Sequence, residues 1–324
     1  MSPSVHRPLS LRLAALLGPF LPAALVCLGV LLTQGALQLP FVTGPETPPA
    51  GEQPSLPHRV RHLSADTAQE LLNRLHQAWN AAGDGVPGLA PSRFPADLDQ
   101  LPVADRKMVF FRSLLPHVLA HNNRITRERA RLMGVSERAA NGVELGETDR
   151  RFLDNLADRY RLGMEVTEPA AQLEVLLRRV DVVPPSIALA QAAIESAWGT
   201  SRFALLGNNL FGQWVFDRER GMAPLERPDD ANYSLARFQG LGDAVAAYLG
   251  NLNGFSAYRE FRRMRRQMRA TEASLDPYRL AEGLSNYSTR RDEYVREVRS
   301  VIRSNDLTRY DRARLAVPGT ASLL

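Results

Sequence analysis

Between Pro184 and Gly199 the chain is apolar on nearly every face, interrupted chiefly by Gln191, Glu195 and Ser196. Pro185 suits a first helical turn, where its missing N–H costs nothing, and Gly199 suits the position just past a helix end. A helix apolar all round has to be enclosed by other elements. A segment of this kind therefore demands a multi-helix domain with this helix at its centre.

Glu195 is the costly residue in that helix. Burial disfavours its charged form, and the negative end of the helix dipole acts in the same direction, since Glu195 falls in the last turn. Both effects predict a carboxylic acid that stays protonated near neutral pH, as a glycosidase needs in order to protonate a departing sugar oxygen. Gln191, one turn earlier on the same face, is placed to aim the carboxyl. The plainer alternative is a glutamate that turns out to solvent or pairs with one of the arginines.

Composition excludes several other chemistries. Cys27 is the only cysteine and lies in an N-terminal apolar run, so the folded part has no disulfide and no thiolate metal site. The six histidines show no HExxH pairing, which argues against a metal enzyme; no metal and no cofactor are expected. The net charge of +5 comes almost wholly from arginine, with Lys107 the one lysine. A basic balance suits nucleic acid, anionic lipid or wall polymer alike.

Leu13 to Leu32 is an almost unbroken apolar stretch of bilayer-spanning length, preceded by His6, Arg7 and Arg12 and by no acid. It predicts a transmembrane anchor or signal segment with the protein body outside the cytoplasm, inner-membrane-anchored or periplasmic. Export makes nucleic acid a poor partner. The expected organisation is a cytoplasmic N-terminus over 1–12, the membrane segment over 13–32 and a Pro-rich linker over 33–62. A helical extension over 63–180, a catalytic domain over 181–310 and a tail over 311–324 follow. Helical periodicity is read over Ala65–Ala82, Ala104–Met133 with a break or kink at Pro116, Thr148–Leu162, and around Leu173, Leu176, Leu177 and Val180. Phe211 to Phe238 changes to β-formers separated by Gly221, Pro224 and Pro228, which reads as a small β-hairpin lobe. Helix resumes at Leu241–Leu252 and continues to about Asp306. The predicted class is mainly α (α+β).

The run Ala188–Ser201, with Glu195-Ser196-Ala197-Trp198-Gly199 inside it, is followed by Gly207-Asn208-Asn209-Leu210-Phe211-Gly212. This pairing resembles the glucosaminidase domain of bacterial cell-wall hydrolases, and among them the bacterial Bax-type proteins. Asn251-Leu252-Asn253 with Tyr258, and Tyr287-Ser288-Thr289 with Tyr294, resemble that group too. The resemblance spans roughly Val180 to Asn305. It implies a lysozyme-like fold with a helical lobe, a small β-lobe and a cleft between them for a peptidoglycan strand. It also implies hydrolysis of the β-1,4 bond between N-acetylglucosamine and N-acetylmuramic acid. Glu195 falls on the family's catalytic acid and Tyr287 on its late tyrosine. For a second carboxylate from the β-lobe, Glu226 has suitable spacing, with Glu219, Asp229 and Asp230 as competitors. A distant carboxylate would give inversion by a water; without one, the substrate's own 2-acetamido group could attack.

Gln191, Ser196, Asn209, Phe211, Trp214 and Phe238 are the expected substrate-binding residues, with Trp214 the preferred sugar platform. Trp198 and Phe216 are read as core, and Asn208 as a turn cap. The cationic run Arg259, Arg262, Arg263, Arg265, Arg266 and Arg269 is read as a solvated helix face, or else a surface attracted to anionic polymer or lipid. Two rivals share the fold: a lytic transglycosylase, and a peptidoglycan-binding scaffold without turnover.

Overall fold

The computed structural model describes residues 60–163, 166–215, 221–222, 234–272 and 274–316. The apolar segment 13–32 lies outside these residues, as do Phe216, Glu219, Glu226, Asp229 and Asp230. No helix among the described residues is long and apolar enough to cross a membrane.

The described chain is mainly helical. Helix α1 spans Ala68–Ala81, α2 Val103–Ala140, α3 Glu147–Arg159, α4 Pro169–Arg179, α5 Pro185–Glu195 and α6 Arg202–Gly207. After the β-lobe come α7 Leu241–Gly254, α8 Arg259–Thr271, α9 Pro277–Leu280 and α10 Asp292–Ser304, with a closing 3-10 turn at Leu307–Arg312. Local chemistry explains several starts. The Thr67 hydroxyl accepts the Glu70 N–H, and the Glu70 carboxylate reaches back to the Asp66 N–H at 3.0 Å, a reciprocal arrangement that satisfies donors at the open end of α1. Pro169 and Pro185 occupy the first turns of α4 and α5.

Two sequence expectations are corrected here. Of the break or kink expected at Pro116, the break does not occur: α2 runs through it and on to Ala140, for 38 residues. The flanking residues Ser113, Leu114, Leu115, Val118 and Leu119 are all buried, so packing on several sides outweighs the lost hydrogen bond. The linker reading is also too long, because Arg61–His62 form a short strand β1, parallel to β2 at Leu89–Ala90.

Helix α5 is the enclosed centre that its sequence requires, with nine of its eleven residues buried. It packs against α2, α10 and the Leu307–Arg312 turn. Its N-terminus has no cap of its own. Asp311, read from sequence as tail, supplies one: Oδ1 accepts the Ser186 N–H and Oδ2 the Ser186 hydroxyl, each at 2.8 Å. A single apolar core runs from Leu63 to Leu315, so the helices before Val180 share it with those after.

The arginine run on α8 is not a uniformly solvated face. Arg259, Arg263, Arg266 and Arg269 are exposed, whereas Arg262 and Arg265 are buried. Spacing of three residues places those two on the inward side. Arg265, 1% exposed, donates to the carbonyls of Asp181 and Val182 and to Asn253 Oδ1 at 3.0, 3.2 and 2.7 Å. Burial opposes ionisation of Asp181, yet Arg265, Arg269 and Arg129 together hold its carboxyl below the usual range. The run is in part a buried electrostatic clamp between α8 and the segment leading into α5.

The β-lobe is a three-stranded antiparallel sheet ordered β3 (Trp214–Val215), β5 (Ser234–Ala236), β4 (Gly221–Met222). Trp214 faces Leu235 and Gly221 faces Ala236 across it. The Asn-Asn pair ties this lobe to α6. Asn208 closes α6 in the left-handed conformation and its Nδ2 donates to the Phe238 carbonyl at 3.0 Å. Asn209 donates to the carbonyls of Gln213 and Ala236, at 2.8 and 3.1 Å, and accepts the Gln213 N–H at 3.0 Å.

Candidate active site

Glu195 is the last residue of α5, and the backbone beyond it turns sharply. Ala197, Trp198 and Gly199 have φ of +50°, +60° and +83°. Two consecutive non-glycine residues in the left-handed region are strained. Ser196 and Trp198 hold the turn in place. The Ser196 hydroxyl donates to the Ala192 carbonyl at 2.6 Å and accepts the Gly199 N–H at 2.9 Å. The Trp198 ring packs edge-on against Phe110 and Phe111, with Lys107 Nζ 4.5 Å from its centroid. At Gly199 a Cβ would lie 2.9 Å from the Phe94 ring, so glycine answers both conformation and space. The Glu-Ser-Ala-Trp-Gly pattern thus encodes a rigid helix end that presents Glu195.

Glu195 keeps some exposure to solvent while protein atoms surround its carboxyl densely. Burial pushes the carboxyl up to about 7; the Tyr294 hydroxyl and the Arg290 guanidinium act against that, and Glu297 acts with it.

Behind the carboxyl stands a chain of hydrogen bonds with a defined direction. The Tyr248 hydroxyl donates to Gln191 Oε1 at 2.7 Å, and Gln191 Nε2 donates to the Tyr294 oxygen at 2.9 Å. An amide oxygen only accepts and an amide nitrogen only donates. The Tyr294 oxygen is therefore occupied as acceptor, and its own proton is left to act on the nearby Glu195 carboxyl, whose charged form it favours. Aromatic stacking makes the chain rigid: Phe211 lies on Tyr248 with centroids 4.0 Å apart, and Tyr287 on Tyr294 at 5.5 Å. The Tyr287 hydroxyl donates to the Phe211 carbonyl at 3.0 Å and so links the two stacks.

The structure brings Glu195, Gln191, Phe211 and Tyr287 into one constellation. It gives four of the expected substrate-binding residues internal work instead. Gln191 is fully buried and acts on the carboxyl through Tyr294; Ser196 is buried as the helix-end clasp. Asn209 spends both amide protons and its oxygen on the β-lobe, and Phe211 is buried against Tyr248. Their polarity and aromatic character suggested sugar contacts, but closure of the core consumes them. Trp214 and Phe238 remain half-buried in the β-lobe and its return. Glu226 lies outside the described residues. No group of three or more metal-ligating side chains occurs among the described residues.

Tyr248, Arg290 and Glu297 carry no signal in the helical pattern that marks them as site residues. Tyr294 and Glu297 do have the three-residue spacing of one helical face, whereas Arg290 lies in the turn before α10.

Residues 170–307 match the family model described as mannosyl-glycoprotein endo-beta-N-acetylglucosaminidase, the glucosaminidase family. Protein bax of Escherichia coli (strain K12) is 32% identical over 189 residues, covering 58% of this chain and 66% of that protein, just under two thirds of its length. The crystal structure of the catalytic domain of the autolysin Auto of Listeria monocytogenes is 20% identical, with 55% of this chain and 96% of that one covered at a TM-score of 0.31. The chain thus matches the glucosaminidase family over residues 170–307, with Glu195 at the end of the buried central helix of that stretch, and is similar in sequence to a bacterial Bax-type protein.

Proposed function

We propose that this protein is a peptidoglycan hydrolase of the endo-β-N-acetylglucosaminidase type, acting outside the cytoplasm on the β-1,4 bond between N-acetylglucosamine and N-acetylmuramic acid. The observation that carries this reading is Glu195: a carboxyl raised to about 7 by burial, at the rigid end of the family domain's central helix. A carboxyl of this kind is protonated at neutral pH and still acidic enough to give the proton up. Glu195 hands its proton to the glycosidic oxygen as the bond to the anomeric carbon breaks. A water adds to that carbon, and the proton this water loses restores the acid through solvent. Tyr287 stands beside Tyr294 as the group that steadies developing charge. Glu226 is the candidate base that takes the water's proton in an inverting reaction; in its absence the substrate's acetamido oxygen attacks first. Trp214 is the candidate sugar platform, half-buried on β3. The segment 13–32 is the proposed membrane anchor or signal.

Product analysis tests the proposal. Sacculi digested with the purified protein and reduced with borohydride should yield glycans ending in reduced N-acetylglucosamine. Anhydro-muramic ends would identify a lytic transglycosylase instead, and bound sacculi with no released fragment would identify a scaffold.

A further inference from the structure

Tyr294 is not the only side chain from this part of the chain that acts on Glu195. Arg290 lies in the turn that leads into α10, and Glu297 lies one turn after Tyr294 on the helix. Arg290 Nη2 is 2.6 Å from Glu297 Oε2, and its Nη1 is 4.0 Å from Glu293 Oε1. The guanidinium rests over the Tyr294 ring, 5.7 Å from the centroid. Both charges are partly shielded from water, with the Arg290 side chain 28% and that of Glu297 39% exposed. Two further details matter. Arg290 Nε is buried without a hydrogen-bond partner, and Glu297 Oε2 makes no aligned hydrogen bond despite the short contact. The short contact and the opposite charges together hold the guanidinium toward Glu297, and the Nε donor is uncommitted.

The other groups around α5 leave this pair decisive. From α7 comes Tyr248, whose proton is committed to Gln191; from the turn before α10 comes Tyr287, bonded to the Phe211 carbonyl. Tyr258 lies behind Tyr287. From α2 comes Lys107, which sits over Trp198 and donates to Asn305. The Leu307–Arg312 turn brings Asp311, bound to Ser186 at the opposite end of α5. Among the described residues, Arg290 is the cation that acts on the Glu195 carboxyl and Glu297 the anion.

We propose that Glu297 is a positioning residue for the Glu195 acid: by drawing Arg290 toward itself it prevents an Arg290–Glu195 ion pair that would hold Glu195 as a carboxylate. The arrangement gives the acid two settings. Before proton transfer, Arg290 is engaged by Glu297 and Glu195 retains its proton. After transfer, the positive charge of Arg290 lowers the cost of the newly formed carboxylate until a proton returns. The catalytic meaning of this pair rests on the hydrolase reading above, whereas the electrostatic coupling does not.

The coupling is measured directly by 13C NMR titration of carboxyl-labelled glutamate in the full chain, with the Glu195 signal assigned by its loss in Glu195→Gln. In Glu297→Gln the Glu195 midpoint should fall by about one pH unit or more, since a neighbouring cation is released and a neighbouring anion removed. In Arg290→Gln it should rise above wild type, and in the double variant it should lie below Arg290→Gln only by the direct effect of the lost Glu297 anion. The alkaline limb of the kcat/KM profile should move with the midpoint in each. An unmoved or raised midpoint in Glu297→Gln overturns the proposal. Should that variant not fold, Arg290→Gln decides alone, and a midpoint that fails to rise overturns it. Midpoints that move as expected in a protein that cuts no sacculi would refute the hydrolase reading and leave the coupling standing.

Discussion

Gln191 Nε2 and the Tyr294 hydroxyl meet 2.9 Å apart across the packed faces of α5 and α10, and this bond sets the direction of every hydrogen bond that leads to Glu195. With Tyr248 donating to its oxygen, the amide cannot turn without breaking two buried bonds. The side chains behind the proposed acid are therefore held in place by one another.

Tyr294→Phe keeps the ring and its stacking on Tyr287 but removes the donor to Glu195. That hydroxyl favours the carboxylate, so its loss should raise the Glu195 midpoint and shift the alkaline limb of the activity profile to higher pH. We expect kcat to fall several-fold with KM little changed. An alkaline limb at the wild-type position would show that Tyr294 merely fills space.

Glu195→Gln should lower turnover of sacculi by on the order of a hundredfold or more, while binding of sacculi persists. Fragment release and pelleting assays on the same preparation separate the two effects. Retained turnover would remove Glu195 from the mechanism.

Two sets of buried groups should act on stability in opposite directions over the same acidic window. Burial pushes His117 down to about 4 and His121 to about 3, against 6.5 in the unfolded chain. Between those values the unfolded chain binds more protons, so stability is lost as pH falls from about 6.5 toward 3. Burial raises Asp311 to about 6 and Glu195 to about 7, from 3.8 and 4.5. Their contribution is complete below the unfolded values and is lost as pH rises through 6 and 7. Calorimetry across pH 4 to 9 should find Glu195→Gln more stable than wild type above pH 8, by up to about 3 kcal/mol, with the gap closing near pH 4.5. His121→Gln should soften the acid-side decline.

Arg265 and Arg266 are neighbours in sequence with opposite expected costs. Arg265→Ala leaves Asp181 and several carbonyls without their buried partner and should destabilise the fold by about 3–5 kcal/mol. Arg266 is exposed, and its alanine variant should stay within about 0.5 kcal/mol of wild type. Denaturant melts of the two variants give the comparison, and equal midpoints would contradict the clamp.

Much of the helical architecture was legible from spacing. The stretches read at Ala65–Ala82 and Thr148–Leu162 are α1 and α3 to within three residues at each end, and the β-formers after Phe211 became a small sheet. No break occurs at Pro116 because propensity is local, while the packing that carries α2 through it is not. The partners of Gln191, Ser196, Asn209 and Phe211 were illegible for a related reason. Polar and aromatic residues beside a buried glutamate look alike in sequence whether they face a ligand or one another.

What the sequence determined alone was the buried helix and the proton-retaining tendency of the glutamate at its end, since both follow from the character of sixteen consecutive residues. Tertiary structure decided everything that aims and tunes that carboxyl. Gln191 finds Tyr248 at 57 residues' distance and Tyr294 at 103, and Asp311 caps Ser186 from 125 residues away. Such contacts form only when separate helices close on one core, and local spacing holds no record of which distant residue will complete a buried hydrogen bond.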